Sequence, residues 1–386
     1  MSVSRTLGAE VAIVGGGIIG CAAAYSLARR GRKVVLLEKS VIGGEASGRN
    51  GGGVRAQCRD RRERPLAMAS IKLWVGLQEE LGFDVEYLQG GNIRMATTEE
   101  RLAALRSEGE EEQADGLAVE LWDRDELRRR APYLSDVFIA AKYCPIDGQA
   151  NPILASRAFG WAASRMGATI LTRTEAVNIG TRDGRVASVT GRDRDGEVLI
   201  EAPWLIHAGG PWTPQLSRSL GIQVPIEPAR SVVAITERMP FLFKEFISSH
   251  DLGAYCRQAR EGQVHIGGVG APEKVFDQTM PAAPMALLAQ RAGQLVPALR
   301  GAHMLRTWAG TLENTPDKVP IIGPVEGIQG YILASGFSGH GFCLGPIAGQ
   351  LLSELIVDGE PSLPLHEFRL SRFAESAVSA PASPPD

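Results

Sequence analysis

The sequence predicts an α/β chain in which a nucleotide-type domain on parallel strands is interleaved with a mostly antiparallel β domain. Three observations predict it. A short β-branched run near the N-terminus ends in Gly15-Gly16-Gly17-Ile18-Ile19-Gly20 and leads into an Ala/Leu-rich segment. A second glycine-rich run, Gly336-Phe337-Ser338-Gly339-His340-Gly341-Phe342, precedes an apolar stretch from Pro346 to Val357, more than three hundred residues later. Between them, Glu227 to Val269 alternates in the two-residue period of strands.

The elements follow in order. Glu10 to Val14 reads as the first strand, the glycines as a turn, and Cys21 to Arg29 as a helix. Gly15 permits the tight turn, Gly17 lets backbone approach a pyrophosphate, and Gly20 lets the helix pack close to the strand. Lys33 to Leu37 is the next strand, ending in Glu38, whose carboxylate can accept from ribose hydroxyls and disfavours a 2′-phosphate. A glycine loop runs from Lys39 to Gly53 and turns basic at Arg55, Arg59, Arg61, Arg62 and Arg64. Leu66 to Leu81 is an amphipathic helix, and two strand-like runs meet at Gly90-Gly91. The charged stretch Thr98 to Arg130 reads as helical, with Glu108, Glu110, Glu111 and Glu112 on a solvated face.

Pro152 to Met166 is a further helix. A strand at Thr169 to Leu171 and a meander follow, with turns at Asp183-Gly184 and Asp195-Gly196. Trp204 to His207 runs into Ala208-Gly209-Gly210, Pro284 to Leu299 is helical, and Tyr331 to Ala334 is the final strand. Residues 1–85, 145–221 and 318–374 are therefore expected to form the nucleotide domain. Residues 86–144 and 222–317 would form the substrate domain, and 375–386, rich in Ala, Ser and Pro, a disordered tail.

Composition narrows the class. With 386 residues, 44% hydrophobic and 22% charged, the chain suits a globular protein of two domains. A formal charge of -3 gives no reason to expect nucleic acid or an anionic membrane as partner. Five scattered cysteines and six scattered histidines, without C-x-x-C or zinc-ligand spacing, point to reduced thiols and no metal. Met1 to Glu10 lacks the basic region and apolar core of a secretory signal, and no run approaches the roughly 20 apolar residues of a membrane span. A cytoplasmic location is the expectation.

Glycine loops at both ends of the chain point to one long cofactor, and FAD is the candidate. A nicotinamide dinucleotide would leave the second loop without a role. Fixed N–H dipoles of the Gly339 to Phe342 turn suit the edge of a flavin that gains negative charge on reduction.

The chain resembles the amine-oxidising flavoproteins related to D-amino-acid oxidase, glycine oxidase and sarcosine oxidase, over nearly its whole length. The likeness rests on Val11 to Gly20, Glu38-Lys39, Asp147 to Pro152, Ala208 to Gly210, Thr315-Pro316-Asp317 and Gly336 to Phe342. Ser47 to Gln57 and Leu305 to Gly310 look most like the β subunits of heteromeric proline, hydroxyproline, opine or sarcosine dehydrogenases. The resemblance implies a GxGxxG-bearing, Rossmann-like FAD-binding domain interleaved with an antiparallel β substrate domain. It implies FAD contacts from Gly15, Gly17, Ile18, Ile19 and Gly20, then Glu38 and Lys39. Further contacts would come from Ser47, Arg49, Asn50 and Gly51, from Val177, Gly209 and Gly310, and from Gly336, Ser338, Gly339, His340, Gly341 and Phe342.

Two departures from that family bear on the chemistry. The cysteine that bonds flavin in monomeric sarcosine oxidase has no counterpart in Ala309 to Leu312, so FAD should be non-covalent. The lysine that follows the same enzyme's second loop is replaced by Cys343, which argues for slow reaction with O2 and another electron acceptor. The implied reaction is hydride transfer from the amine-bearing carbon of an amino or imino acid to flavin N5, giving an imine. The amine must arrive neutral, so no strong protein base is required. Partners would be other dehydrogenase subunits or a homo-oligomer, with room for an additional FMN at a subunit interface. A stand-alone oxidase using O2 and an electron-transfer or scaffold subunit are the competing readings.

Four residues are candidates for the reacting end. Arg55 would bind a substrate carboxylate or the flavin, although its basic neighbours fit phosphate contact or a partner interface equally. Tyr255, beside Arg257 and Gln258, lies on a strand of the expected pocket wall, where a buried structural tyrosine is the alternative. His265 alternates with Val264 and Ile266 and faces either pocket or solvent. His340 sits in the second glycine loop. Trp308 reads as packing.

Overall fold

The structure, a computed structural model, describes residues 3–268, 276, 278–280 and 282–374. The chain divides into two compact units. The first comprises Met1–Gly44, Ser156–Glu227 and Glu313–Asp386, and the second Glu45–Ala155 and Pro228–Leu312. Residues 45–85 and 145–155, expected in the nucleotide domain, therefore belong to the second unit, and 222–227 and 313–317, expected in the substrate domain, to the first. The expected tail at 375–386 lies outside the described residues.

The first unit is built on a six-stranded sheet in the order Ile321–Pro324, Tyr331–Ser335, Trp204–His207, Val11–Val14, Val34–Leu37, Thr169–Leu171. All neighbours run parallel except the first pair. Val11–Val14 and Val34–Leu37 are buried at every residue, as strands covered on both faces must be. Helix Ile18–Arg29 turns Ile18, Ile19 and nearly every residue to Ala28 into the interior. The meander forms its own sheet in the order Val3–Gly8, Gly196–Glu201, Arg185–Asp193, Glu175–Arg182. Asp183 and Gly184, at φ 52° and 72°, make the expected turn between two of its strands.

The last helix spans Gly341–Val357 rather than starting at Pro346. Pro346 removes one intrahelical hydrogen bond, yet the helix is anchored upstream by its packing. A Cβ on Gly345 would stand 2.7 Å from the Ile18 side chain, and one on Gly349 2.5 Å from the Ala22 carbonyl carbon. The first and last helices thus lie in close contact through small residues, with their glycine-bearing N-terminal ends side by side.

The second unit carries an eight-stranded sheet in the order Met304–Asn314, Glu227–Arg238, Gln263–Gly268, Ala254–Gln258, Phe246–Ser249, Asn92–Ala96, Ala140–Cys144, Glu120–Trp122. Phe246–Ser249 and Asn92–Ala96 pair in parallel, while five other neighbouring pairs are antiparallel. Its core packs Ile93, Met95, Phe138, Val232, Ile247, Cys256, Val264 and Ile266. The stretch expected as one helical run is Glu99–Ala114, strand Glu120–Trp122 and helix Arg124–Arg130, broken at Gly116 with φ +85°.

The acidic cluster is a solvated face only in part: Glu110 and Glu111 are exposed, whereas Glu112 is buried and Glu108 half-buried. Lys142, fully buried, meets Glu112 at 2.7 Å and Glu108 at 3.3 Å, and Glu112 also accepts from Cys58 N. A buried ammonium needs such partners, and helix Glu99–Ala114 supplies them.

Candidate functional site

In the first unit three glycine turns, Gly15–Gly20, Ala208–Gly210 and Gly336–Phe342, here first, second and third in chain order, follow the carboxyl ends of strands Val11–Val14, Trp204–His207 and Tyr331–Ser335. Gly15 has φ +108°, and a Cβ there would collide with the Ala208 carbonyl, so the first and second turns touch. A Cβ on Gly20 would strike the Gly15 carbonyl, which fixes how closely helix Ile18–Arg29 approaches its strand. Gly17 caps that helix without a side-chain bond, and its first turn holds no acidic residue. The positive end of the dipole is therefore not neutralised from within.

Glu38 accepts from Gly16 N and from Ser40 N, each at 2.7 Å. These bonds hold the carboxylate at the end of its strand. Lys39 stacks its ammonium 2.9 Å from the centroid of Trp212. Val177 is half-buried on the meander strand Glu175–Arg182.

Gly209 approaches His207, which burial keeps neutral at about 3 and whose Nδ1 meets the Tyr331 hydroxyl at 2.8 Å. Gly336 and Gly339 have φ of +78° and +85°, and Ser338 itself takes φ +50°. Ser338 Oγ accepts from Thr315 N at 3.1 Å, while Ser338 N donates to the Glu313 carbonyl at 3.0 Å. His340 N closes the turn on Phe337 O, and Gly341 starts the helix, with Phe342 buried behind it. Asp317 of the Thr-Pro-Asp motif is tied to Arg372 at 3.0 and 3.1 Å, a structural role.

Sequence reading missed Glu313. Its carboxyl accepts from the N–H groups of Gly336 and Phe337, burial pushes it up to about 7 against their pull, and its Oε2 is shielded without a partner. A lone acid two residues before the Thr-Pro-Asp motif was the available signal.

The second unit gathers Tyr255, Arg257 and His265 on paired strands. Arg257 lies opposite His265 and Tyr255 opposite Gly267, which puts the three side chains on one face. Gly51 leaves space for the Tyr255 ring, which stacks on Phe246 at 5.2 Å. Arg257 Nε donates to Gly51 O at 2.5 Å, and its Nη2 lies 3.4 Å from His265 Nε2.

A guanidinium can only donate, so Nε2 of His265 accepts and the ring proton resides on Nδ1. That Nδ1 is shielded and has no hydrogen-bond partner. Burial, then the Arg257 charge, holds His265 well below its ordinary value. Trp308 presents an edge to His265 at 6.1 Å and donates to Arg49 O at 2.9 Å. Arg49 in turn donates to Ala309 O at 3.0 Å, and Gly310 leaves room for its stem. Asn50 bonds the carbonyls of Ala46 and Ser47 and accepts from Gly52 N, which shapes this loop.

Arg55 belongs to a different cluster of the same unit. It donates to the carbonyls of Gln57 and Cys58, and burial, then the charges of Arg59 and Arg94, bring it down to about 9. Asp147 nearby is pushed up to about 6 by burial, opposed by Ala56 N–H and by Arg55. Of the four reacting-end candidates, the structure joins Tyr255 and His265 through Arg257. His340 lies on the third turn of the first unit.

The largely parallel sheet, the close-packed glycine turns and the acid after the second strand define a dinucleotide-binding fold. The chain belongs to the FAD dependent oxidoreductase (DAO) family, which it matches over residues 10–355. It is 30% identical over 373 residues to a glycine oxidase of Geobacillus kaustophilus, covering 94% of this chain and 97% of that protein. It is 29% identical to the hydrogen cyanide synthase subunit HcnC of Pseudomonas aeruginosa, over 94% and 96% of the two chains. The crystal structure of L-proline dehydrogenase from P. horikoshii superposes with a TM-score of 0.90 at 30% identity, over 96% of this chain and 99% of that one. FAD is thus the cofactor, and the nicotinamide alternative is set aside. Among the described residues no helix is long and apolar enough to cross a membrane.

Proposed function

We propose that this chain oxidises an amino acid or a secondary, imino or N-substituted, amino acid at its amine-bearing carbon, as the catalytic β-type subunit of a heteromeric dehydrogenase. The bound flavin supplies the hydride acceptor, and the product is an imine that water hydrolyses, or that persists if cyclic. The observation that carries this reading is the Arg257–His265 pair on the face shared with Tyr255. A guanidinium recognises the carboxylate of an amino acid, and the neutral imidazole adds a donor without taking the amine's proton. Two of these relatives support the substrate class by their names, glycine and L-proline both being α-amino acids. HcnC is by name a subunit, which favours an assembly.

A stand-alone oxidase is the second reading, favoured by the full-length match to the Geobacillus glycine oxidase. The deciding experiment is anaerobic bleaching of the purified yellow protein by glycine, sarcosine, D-alanine, both prolines, hydroxyproline and opines. Bleaching by at least one is expected, followed by reoxidation that is faster with a dye acceptor than with O2. Fast reoxidation by O2 selects the oxidase. No bleaching by any donor overturns both and leaves an electron-transfer or scaffold subunit.

A further inference from the structure

Glu313 stands where the second and third glycine turns meet. It lies near the end of strand Met304–Asn314 and belongs to the first unit. Its main chain is fixed by Ser338 N, and its carboxyl is held by the N–H groups of Gly336 and Phe337. On the far side is Gly210, φ +59°, where a Cβ would be 3.6 Å from Glu313 Oε2. That oxygen is out of solvent and without a partner. A buried acceptor in that state lacks a donor, and the adjoining Gly210 places no side chain against it.

The charged groups on the surrounding elements do not supply it. His207 is neutral and bonded to Tyr331, Lys39 lies over Trp212, and Asp317 is tied to Arg372. Glu227, next to the Ile226 that flanks Gly336, is exposed, and His340 closes the third turn through its backbone. Among the described residues no charged group shifts the Glu313 carboxyl, and its position at about 7 reflects burial opposed by the two N–H groups.

We propose that Glu313 is a cofactor-binding residue whose Oε2 accepts a hydrogen bond from a sugar-alcohol hydroxyl of FAD. A phosphate oxygen in the same place would bring a second negative charge and require an extra proton. A hydroxyl supplies the missing donor with no added charge. The inference does not depend on which donor the enzyme oxidises.

The sign of the linkage tests it. A donated hydrogen bond favours the ionised carboxyl, so its pKa falls on binding and the complex releases a proton. FAD should therefore bind more weakly as pH drops below about 7 and level off above. Fluorescence titration of the apoprotein should give a Kd up to about tenfold higher at pH 6 than at pH 8. Glu313→Gln should flatten that dependence, and Glu313→Asp should weaken binding at pH 8 by withdrawing the oxygen.

If the Gln variant does not fold, calorimetry of the wild-type protein in two buffers decides the point, with proton release at pH 6 expected. Binding that tightens as pH falls, proton uptake, or the same pH dependence in Glu313→Gln would overturn the proposal. ADP, which lacks the ribityl chain and carries only the adenosine ribose, assigns the hydroxyl. Its binding should lose the pH dependence; a dependence kept with ADP would move the contact to the ribose and overturn the ribityl assignment.

Discussion

Arg257 and His265 face each other across paired strands, and substitution separates what each contributes. Arg257→Lys cannot bond both Gly51 O and His265 Nε2, because an ammonium lacks the planar fork. Loss of a charge-assisted pair in a buried site is worth about 2–3 kcal/mol, or roughly 30- to 150-fold in kcat/KM. Steady-state kinetics should show that loss mainly in KM, with FAD affinity nearly unchanged. An unaltered kcat/KM would remove Arg257 from the site. His265 is held well below its ordinary value, so its charge does not change at neutral to alkaline pH. Substrate amine deprotonation alone should then shape the rate, and kcat/KM should climb by up to about tenfold per pH unit below the amine's pKa. A flat profile, or a falling limb near neutrality, would exclude this assignment. Strand alternation left His265 facing either pocket or solvent, and Tyr255 was picked out by the family resemblance. Arg257's part was not legible, because which nitrogen meets which atom depends on a register that spacing does not specify.

At the scale of elements, the glycine turns and the strands they follow were readable because each demands a backbone that only glycine reaches easily, Gly15 and Gly336 being cases. Helix starts were less so. The last helix begins five residues before Pro346, since its packing against Ile18 and Ala22 outweighs the one lost hydrogen bond. The acidic run on Glu99–Ala114 misled at Glu108 and Glu112, though not at the exposed Glu110 and Glu111, for a related reason. Charge in sequence reads as solvated, and only the sheet brings Lys142 beneath it. This pairing has a measurable consequence. Lys142→Met leaves Glu112, itself fully buried, with an uncompensated charge, a change that costs about 3–5 kcal/mol. Denaturant unfolding should register it. The double variant Lys142→Met with Glu112→Gln should recover most of the loss, because the amide still accepts from Cys58 N and carries no charge. A double variant as unstable as the single one would mean that volume, not charge, dominates there.

Over the whole molecule, the interleaving was visible in the order of nucleotide-type and antiparallel segments. Its boundaries were not. Residues 45–85 carry a glycine loop and a helix with no periodicity that assigns them to either unit, and tertiary contacts place them in the second. The first unit is assembled from three separate stretches of chain, and its sheet order runs through all of them. A ligand held at Gly15, Gly209 and Gly336 would tie together segments that are distant in sequence, and its binding should stabilise the native state by mass action. At a hundredfold excess of FAD over Kd the linkage is worth about 2.7 kcal/mol. An unfolding entropy of about 2.1 cal/mol/K per residue, taken over 386 residues, gives about 0.8 kcal/mol/K, so the Tm of the apoprotein should rise by about 3 °C. NAD shares the adenosine and pyrophosphate but lacks the flavin and its polyol chain, so at the same concentration it should shift Tm by less than about 1 °C. Differential scanning fluorimetry with the two dinucleotides reads both numbers. Equal shifts would mean that the cradle recognises only the adenosine diphosphate moiety and that the third glycine turn adds nothing to the choice of cofactor.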